Sequence, residues 1–141
     1  MLGVTLLEIM LVLAIAAMVI VMSIRYYQSA SNNQKINAGL NTITAIVAAG
    51  ESYIATGPSG GMQNVTDTNL SPYLGGTMPK SPWGGDITIT GASATSYTIQ
   101  MPVSKDTVVC TQLIALIGQN SKLNTPAPVC AGGSLTVTVN M

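Results

Sequence analysis

Few side chains in this sequence could do chemistry, and the most telling is a single acid, Glu8, set directly ahead of an unbroken apolar run from Ile9 to Ile24. A carboxylate facing hydrocarbon costs about 2.5 kcal/mol or more unless something pairs with it, so an acid in that place is a functional candidate. The natural partner is an amine. A chain cut after Gly3 would supply one at Val4, and the amine would come from a neighbouring copy. Two cysteines, Cys110 and Cys130, stand 20 positions apart with no His anywhere in the chain to complete a metal set. A disulfide is the simpler reading, with two unpaired buried thiols as the alternative. Such a bond is worth roughly 3 kcal/mol in the chain-entropy model and persists in oxidising compartments, which places the cysteines outside the cytoplasm.

The remaining polar residues suggest little chemistry. Asp67, Asp86 and Asp106 do not form a metal-binding loop pattern, and Trp83 reads as a packing ring. There is no nucleophile motif such as G-x-S-x-G and no glycine-rich phosphate loop, so neither enzyme activity nor a cofactor or metal is expected. Five Lys and Arg are scattered along the chain against five Asp and Glu. Without a basic cluster, nucleic acid is not an expected partner.

The elements that must position Glu8 and the cysteines are legible from pattern. At 141 residues the chain fits one core, yet 48% of it is hydrophobic and only 7% charged. Such a chain hides its surface in a membrane or in copies of itself. The span Val4 to Ile24 would measure about 30 Å as a helix, the thickness of a bilayer's hydrocarbon. Arg25, Tyr26 and Tyr27 follow as an interfacial anchor. Ile36, Leu40, Ile43, Val47, Gly50 and Ile54 then recur at helical spacing, which predicts one helix continuing to about Thr56, where Gly57 and Pro58 stop it.

From 57 to 85 the Gly, Pro, Ser and Thr content predicts a long ordered loop, with a helical turn at Ser71 to Leu74 and a tight approach to a strand at Pro82 to Gly85. Beyond it the period is two. Ile87 and Ile89, then Tyr97, Ile99 and Met101, predict an antiparallel hairpin turning between Gly91 and Thr95. Cys110 to Ile117 suits a short helix, and Leu135, Val137 and Val139 a closing strand.

The run Gly3, Val4, Thr5, Leu6, Leu7, Glu8 resembles the class III signal of type IV prepilins. The short motif gains weight from the apolar helix, amphipathic helix, strand-rich region and cysteine pair behind it. The resemblance implies an α+β pilin fold, with an apolar half-helix protruding and an amphipathic half packed on a small antiparallel sheet. It implies residues 1–3 as a leader remnant, 4–27 as a transmembrane and filament-core helix, and 28–141 as a globular head with sheet and disulfide from 86. Processing is expected at Gly3 and Val4 by a prepilin peptidase that also methylates the new terminus, with Met1 after an upstream glycine as the other possible start. Assembly would rest on Glu8 and Val4, and the filament core on Ile9, Leu11, Leu13, Ile15, Val19 and Ile20.

The implied function is that of a structural subunit, held in the inner membrane and then polymerised by an ATP-driven machine into an extracellular pilus, a homo-oligomer serving adhesion, motility or conjugation. Val4 in place of the usual Phe, and the segment Ser81 to Gly85, resemble the type IVb branch. Only Met1 and Leu2 precede Gly3, where family leaders carry basic residues, and no helix-breaking Gly or Pro occurs between Ile9 and Gly39. The second departure predicts little melting of the helix during assembly. Two other readings compete: a type II secretion pseudopilin, and a monomeric membrane-anchored adhesin.

Overall fold

The computed structural model describes Gly3, residues 5–57 and residues 61–141; Val4 and Pro58 lie outside the described residues. The architecture is α+β. Helix α1 (Leu6–Thr56) is followed by α2 (Asp67–Leu70), strands β1 (Thr88–Thr90) and β2 (Ser96–Pro102), helix α3 (Thr107–Ile117), and strands β3 (Val129–Ala131) and β4 (Ser134–Asn140). The chain divides into two compact units, residues 1–34 and 35–141, and α1 contributes to both.

In the first unit α1 is continuous through every residue from Leu6 to Gln34. Nothing interrupts it because Ile9 to Ala38 holds no Gly or Pro. Its one hydroxyl within the apolar run, on Ser23, donates back to the Val19 carbonyl at 2.8 Å and so is satisfied within the helix.

The second unit contains the core. Four strands lie in the order β1-β2-β4-β3, all antiparallel. Alternation places Tyr97, Ile99 and Met101 of β2 beside Val139, Val137 and Leu135 of β4 on the buried face. The remaining part of α1 packs against these residues. Its buried positions are Ile36, Gly39, Ile43, Ile46, Val47, Ala49, Gly50 and Tyr53. This corrects the expected stripe, since Leu40 and Ile54 are only partly buried while Gly39, Ile46, Ala49 and Tyr53 face inward. The reason is the size of what they meet. A methyl group at Gly39 would stand 3.1 Å from the Trp83 ring, and one at Gly50 would collide with the Tyr97 hydroxyl. The inward face of the helix is therefore glycine at two places where a large ring lies beneath it, Trp83 of the turn before β1 and Tyr97 of β2.

Helix α1 ends where expected, with the Gly57 N–H donating to the Tyr53 carbonyl at 2.6 Å. The segment beyond is more structured than a loop. It holds 3₁₀ turns at Met62–Asn64 and at Ser71–Leu74, the second one expected, with α2 between them. Thr66 starts α2 by accepting from the Asn69 N–H. Asp67 reaches further, its carboxylate accepting the Ile89 N–H of β1 at 2.7 Å. Gly91 adopts φ +60° at the predicted hairpin turn, a conformation that favours glycine. Helix α3 opens on Asp106, whose carboxylate accepts the Val108 N–H at 3.0 Å, and buries Val109, Leu113 and Ile117. Strand β3 was not expected; it forms the sheet edge and pairs only three residues with β4.

Candidate functional site

From Leu6 to Ile24, fourteen large apolar side chains are exposed, ranging from 49% for Ile9 to 78% for Leu6. Ile9, Leu11, Leu13, Ile15, Val19 and Ile20, the residues expected to be buried elsewhere, are all among them. They point in every direction round the helix, and a helix that is hydrophobic all round is stable only inside something apolar. At about 1.5–3 kcal/mol for each side chain withdrawn from water, the free energy at stake is of the order of 20 kcal/mol or more. Among the described residues this is the one helix long and apolar enough to cross a membrane. Its backbone groups are already paired within the helix, which removes the main barrier to entering lipid.

At the near end of this helix Thr5 and Glu8 form a reciprocal pair. The Thr5 N–H donates to Glu8 Oε2 at 3.0 Å, and the Glu8 N–H lies 3.4 Å from Thr5 Oγ1. This is a capping box, in which the first and fourth residues of a helix start satisfy each other's otherwise unpaired N–H groups. The acid also sits in the first turn, where the helix dipole favours negative charge. Sequence reasoning took Glu8 as an acid awaiting an external partner and missed Thr5, although Thr5, Leu6, Leu7, Glu8 is a T-x-x-E pattern that could have shown it. One carboxylate oxygen is thus held locally and the group as a whole stays exposed. Gly3 is exposed, while the expected amine of Val4 lies outside the described residues.

At the far end, Arg25, Tyr26 and Tyr27 are exposed in consecutive positions, the two rings at 80% and 74%. An open apolar groove of about 390 Å³ lined by Ala17, Met18, Val21 and Met22 ends at Arg25.

Cys110 and Cys130 are bonded to each other, with Cα atoms 6.1 Å apart, and tie α3 to β3. The three aspartates each have a local task or an exposed partner: the Asp67 and Asp106 carboxylates accept backbone N–H groups, and Asp86 pairs with Lys80 at 3.7 Å on the surface. Glu51 accepts from Lys122 at 2.7 Å across a polar recess that Asn120 also lines. Trp83 packs on Gly39, and its ring N–H is buried without a partner among the described residues. The Tyr97 hydroxyl is likewise buried and unpaired; burial pushes its pKa well up, and the Glu51 carboxylate adds to the rise. No group of three or more His, Cys, Asp or Glu among the described residues could hold a metal ion.

No family model, curated protein or solved structure matches this chain.

Proposed function

We propose that the chain is a type IV pilin, a structural subunit that waits in a membrane on its apolar helix and then polymerises through that helix into an extracellular filament. The observation that carries the reading is the exposure of the apolar segment on every side, from Leu6 to Ile24, immediately behind a single acid. Lipid satisfies such a surface before assembly and the same surface of other copies satisfies it afterwards. Leaving the bilayer therefore costs little net apolar burial, at about 25 cal/mol per Å² lost and regained.

Glu8 supplies direction. Its capping bond to Thr5 aims the carboxylate back toward the chain start, where a cation from an adjoining copy can reach the second oxygen. The free amine of Val4, released by cleavage after Gly3, is the expected cation. The disulfide between Cys110 and Cys130 supports an extracytoplasmic head, since such bonds persist in oxidising surroundings.

Shearing cells that express the chain with a pilus assembly machine, followed by electron microscopy and mass spectrometry of the sheared material, tests the proposal. Thin fibres composed of this chain, starting at an N-methylated Val4, are expected. Material that stays monomeric in mild detergent and never appears in the sheared fraction would instead indicate an anchored adhesin, and short periplasmic fibres a secretion pseudopilin.

A further inference from the structure

Between Glu8 and Lys35 the helix carries one other charged side chain, Arg25. Neither Glu8 nor Arg25 makes an ion pair among the described residues. The two are 17 residues apart, about 26 Å along the axis, against a hydrocarbon layer of about 30 Å. In a bilayer both charges would lie near opposite interfaces, each within reach of water or headgroups. Packed among other apolar helices, both would lose that solvation, and a charge removed from water is tolerated only when paired.

We infer that in the assembled state Glu8 of one copy pairs with Arg25 of another, so that neighbouring parallel helices are offset by those 17 residues. This rests on the filament reading above and adds a register to it. The carboxylate can serve both contacts, because Thr5 engages only Oε2 of its two oxygens. The guanidinium suits the task, since any of its several N–H donors can reach that free oxygen, whose two lone pairs also leave room for the amine. The geometry also dictates what kind of object forms. Acid and base belong to different patches of the same helix, about 100° apart around the axis, so each contact leaves a free acid on one copy and a free base on the other. Head-to-tail contacts with a translation of about 26 Å cannot close into a ring and propagate as an open helical array. A lone polar pair within apolar helices fixes register in this way in other helical assemblies.

The test changes the charge at position 25 in the full chain, expressed with its assembly machine, and leaves Glu8 and its contact with the Val4 amine untouched. Arg25→Glu should lower sheared filament yield at least about tenfold, with the membrane level of the subunit unchanged, because it leaves two like charges facing one another. Arg25→Lys keeps the positive charge and should hold filaments to within about threefold of the unaltered chain. A second arm introduces Ile9→Cys and Tyr26→Cys, which share the 17-residue offset; oxidation of filaments should give a ladder of covalently linked subunits. Overturning results are a yield with Arg25→Lys as low as with Arg25→Glu, full filament yield with Arg25→Glu, no ladder, or a discrete cross-linked dimer from antiparallel helices. If the unaltered chain makes no filaments, the proposed function falls instead, so the two failures are distinguishable.

Discussion

Thr5 and Glu8 do two things at once, and substitutions separate them. Glu8→Gln keeps an oxygen able to accept the Thr5 N–H, so the capping box survives while the charge is lost. Filaments should disappear with Glu8→Gln and with Glu8→Ala alike, while the membrane-bound subunit persists; full yield with Gln would assign Glu8 to capping alone. Thr5→Val removes the side-chain cap, which should cost about 1 kcal/mol at the helix start and show as faster amide exchange in the first turn, with Thr5→Ser nearly neutral. Tyr97 gives a prediction of a different kind. Its pKa is raised in the folded chain by burial, with Glu51 adding to the effect, so the fold favours the neutral phenol. The stability this represents is fully present below the ordinary tyrosine value of about 10 and is lost as pH rises above it, because the unfolded chain then ionises first. Tyr97→Phe should flatten that alkaline loss in thermal melts. Because the hydroxyl has no hydrogen-bond partner among the described residues, the same change should be neutral or stabilising by about 1 kcal/mol at neutral pH.

At the level of elements, the packing of α1 depends on two glycines with rings beneath them, Gly39 under Trp83 of the turn before β1 and Gly50 under Tyr97 of β2. Gly50→Ala gains helix propensity of about 1 kcal/mol yet drives a methyl group into the Tyr97 hydroxyl, and a net loss of about 1–3 kcal/mol is expected in denaturant titrations. The contacting atom is the hydroxyl itself, so Gly50→Ala with Tyr97→Phe should recover much of the loss, a coupling that a double-mutant cycle would measure. Replacing Cys110 and Cys130 by Ser frees α3 from β3 and should cost about 2–5 kcal/mol. These same elements show how much could be read in advance. Strands β1, β2 and β4 and the hairpin turn were legible because alternation of Ile, Tyr and Val with Thr leaves one face to bury. The inward stripe of α1 was read a fraction of a turn off, because the expected pattern scored large aliphatics at Leu40 and Ile54. The residues buried instead include Gly39, which fits under the Trp83 ring, and Tyr53, whose ring meets Tyr73 edge-on at 6.0 Å. Strand β3 was invisible: Val129, Cys130 and Ala131 are too few to show a period, and their place comes from β4 and the disulfide. Of the candidate site, the apolar run and Glu8 stood out through composition, whereas the part of Thr5 was masked because one carboxylate can both cap its own helix and face a neighbour.

For the whole molecule, the decisive quantity is how few charged groups are available to keep it dispersed. With 7% charged residues and fourteen exposed apolar side chains on one helical segment, the intact chain should run as a detergent-bound or self-associated particle, never as a free monomer in buffer. Removing residues 1–34 takes away that segment, and the remaining unit should lose its association with detergent micelles in size-exclusion chromatography. A chain destined for crowding among copies must also avoid joining them in the wrong way. The outermost strand on one side, β1, would normally offer its N–H groups to any passing strand. Asp67 occupies the Ile89 N–H and so places a negative charge against that border of the sheet. An incoming backbone would have to displace a carboxylate to extend the ladder there, which discourages the stacking of heads into amyloid-like ribbons and leaves the helices as the route by which copies meet.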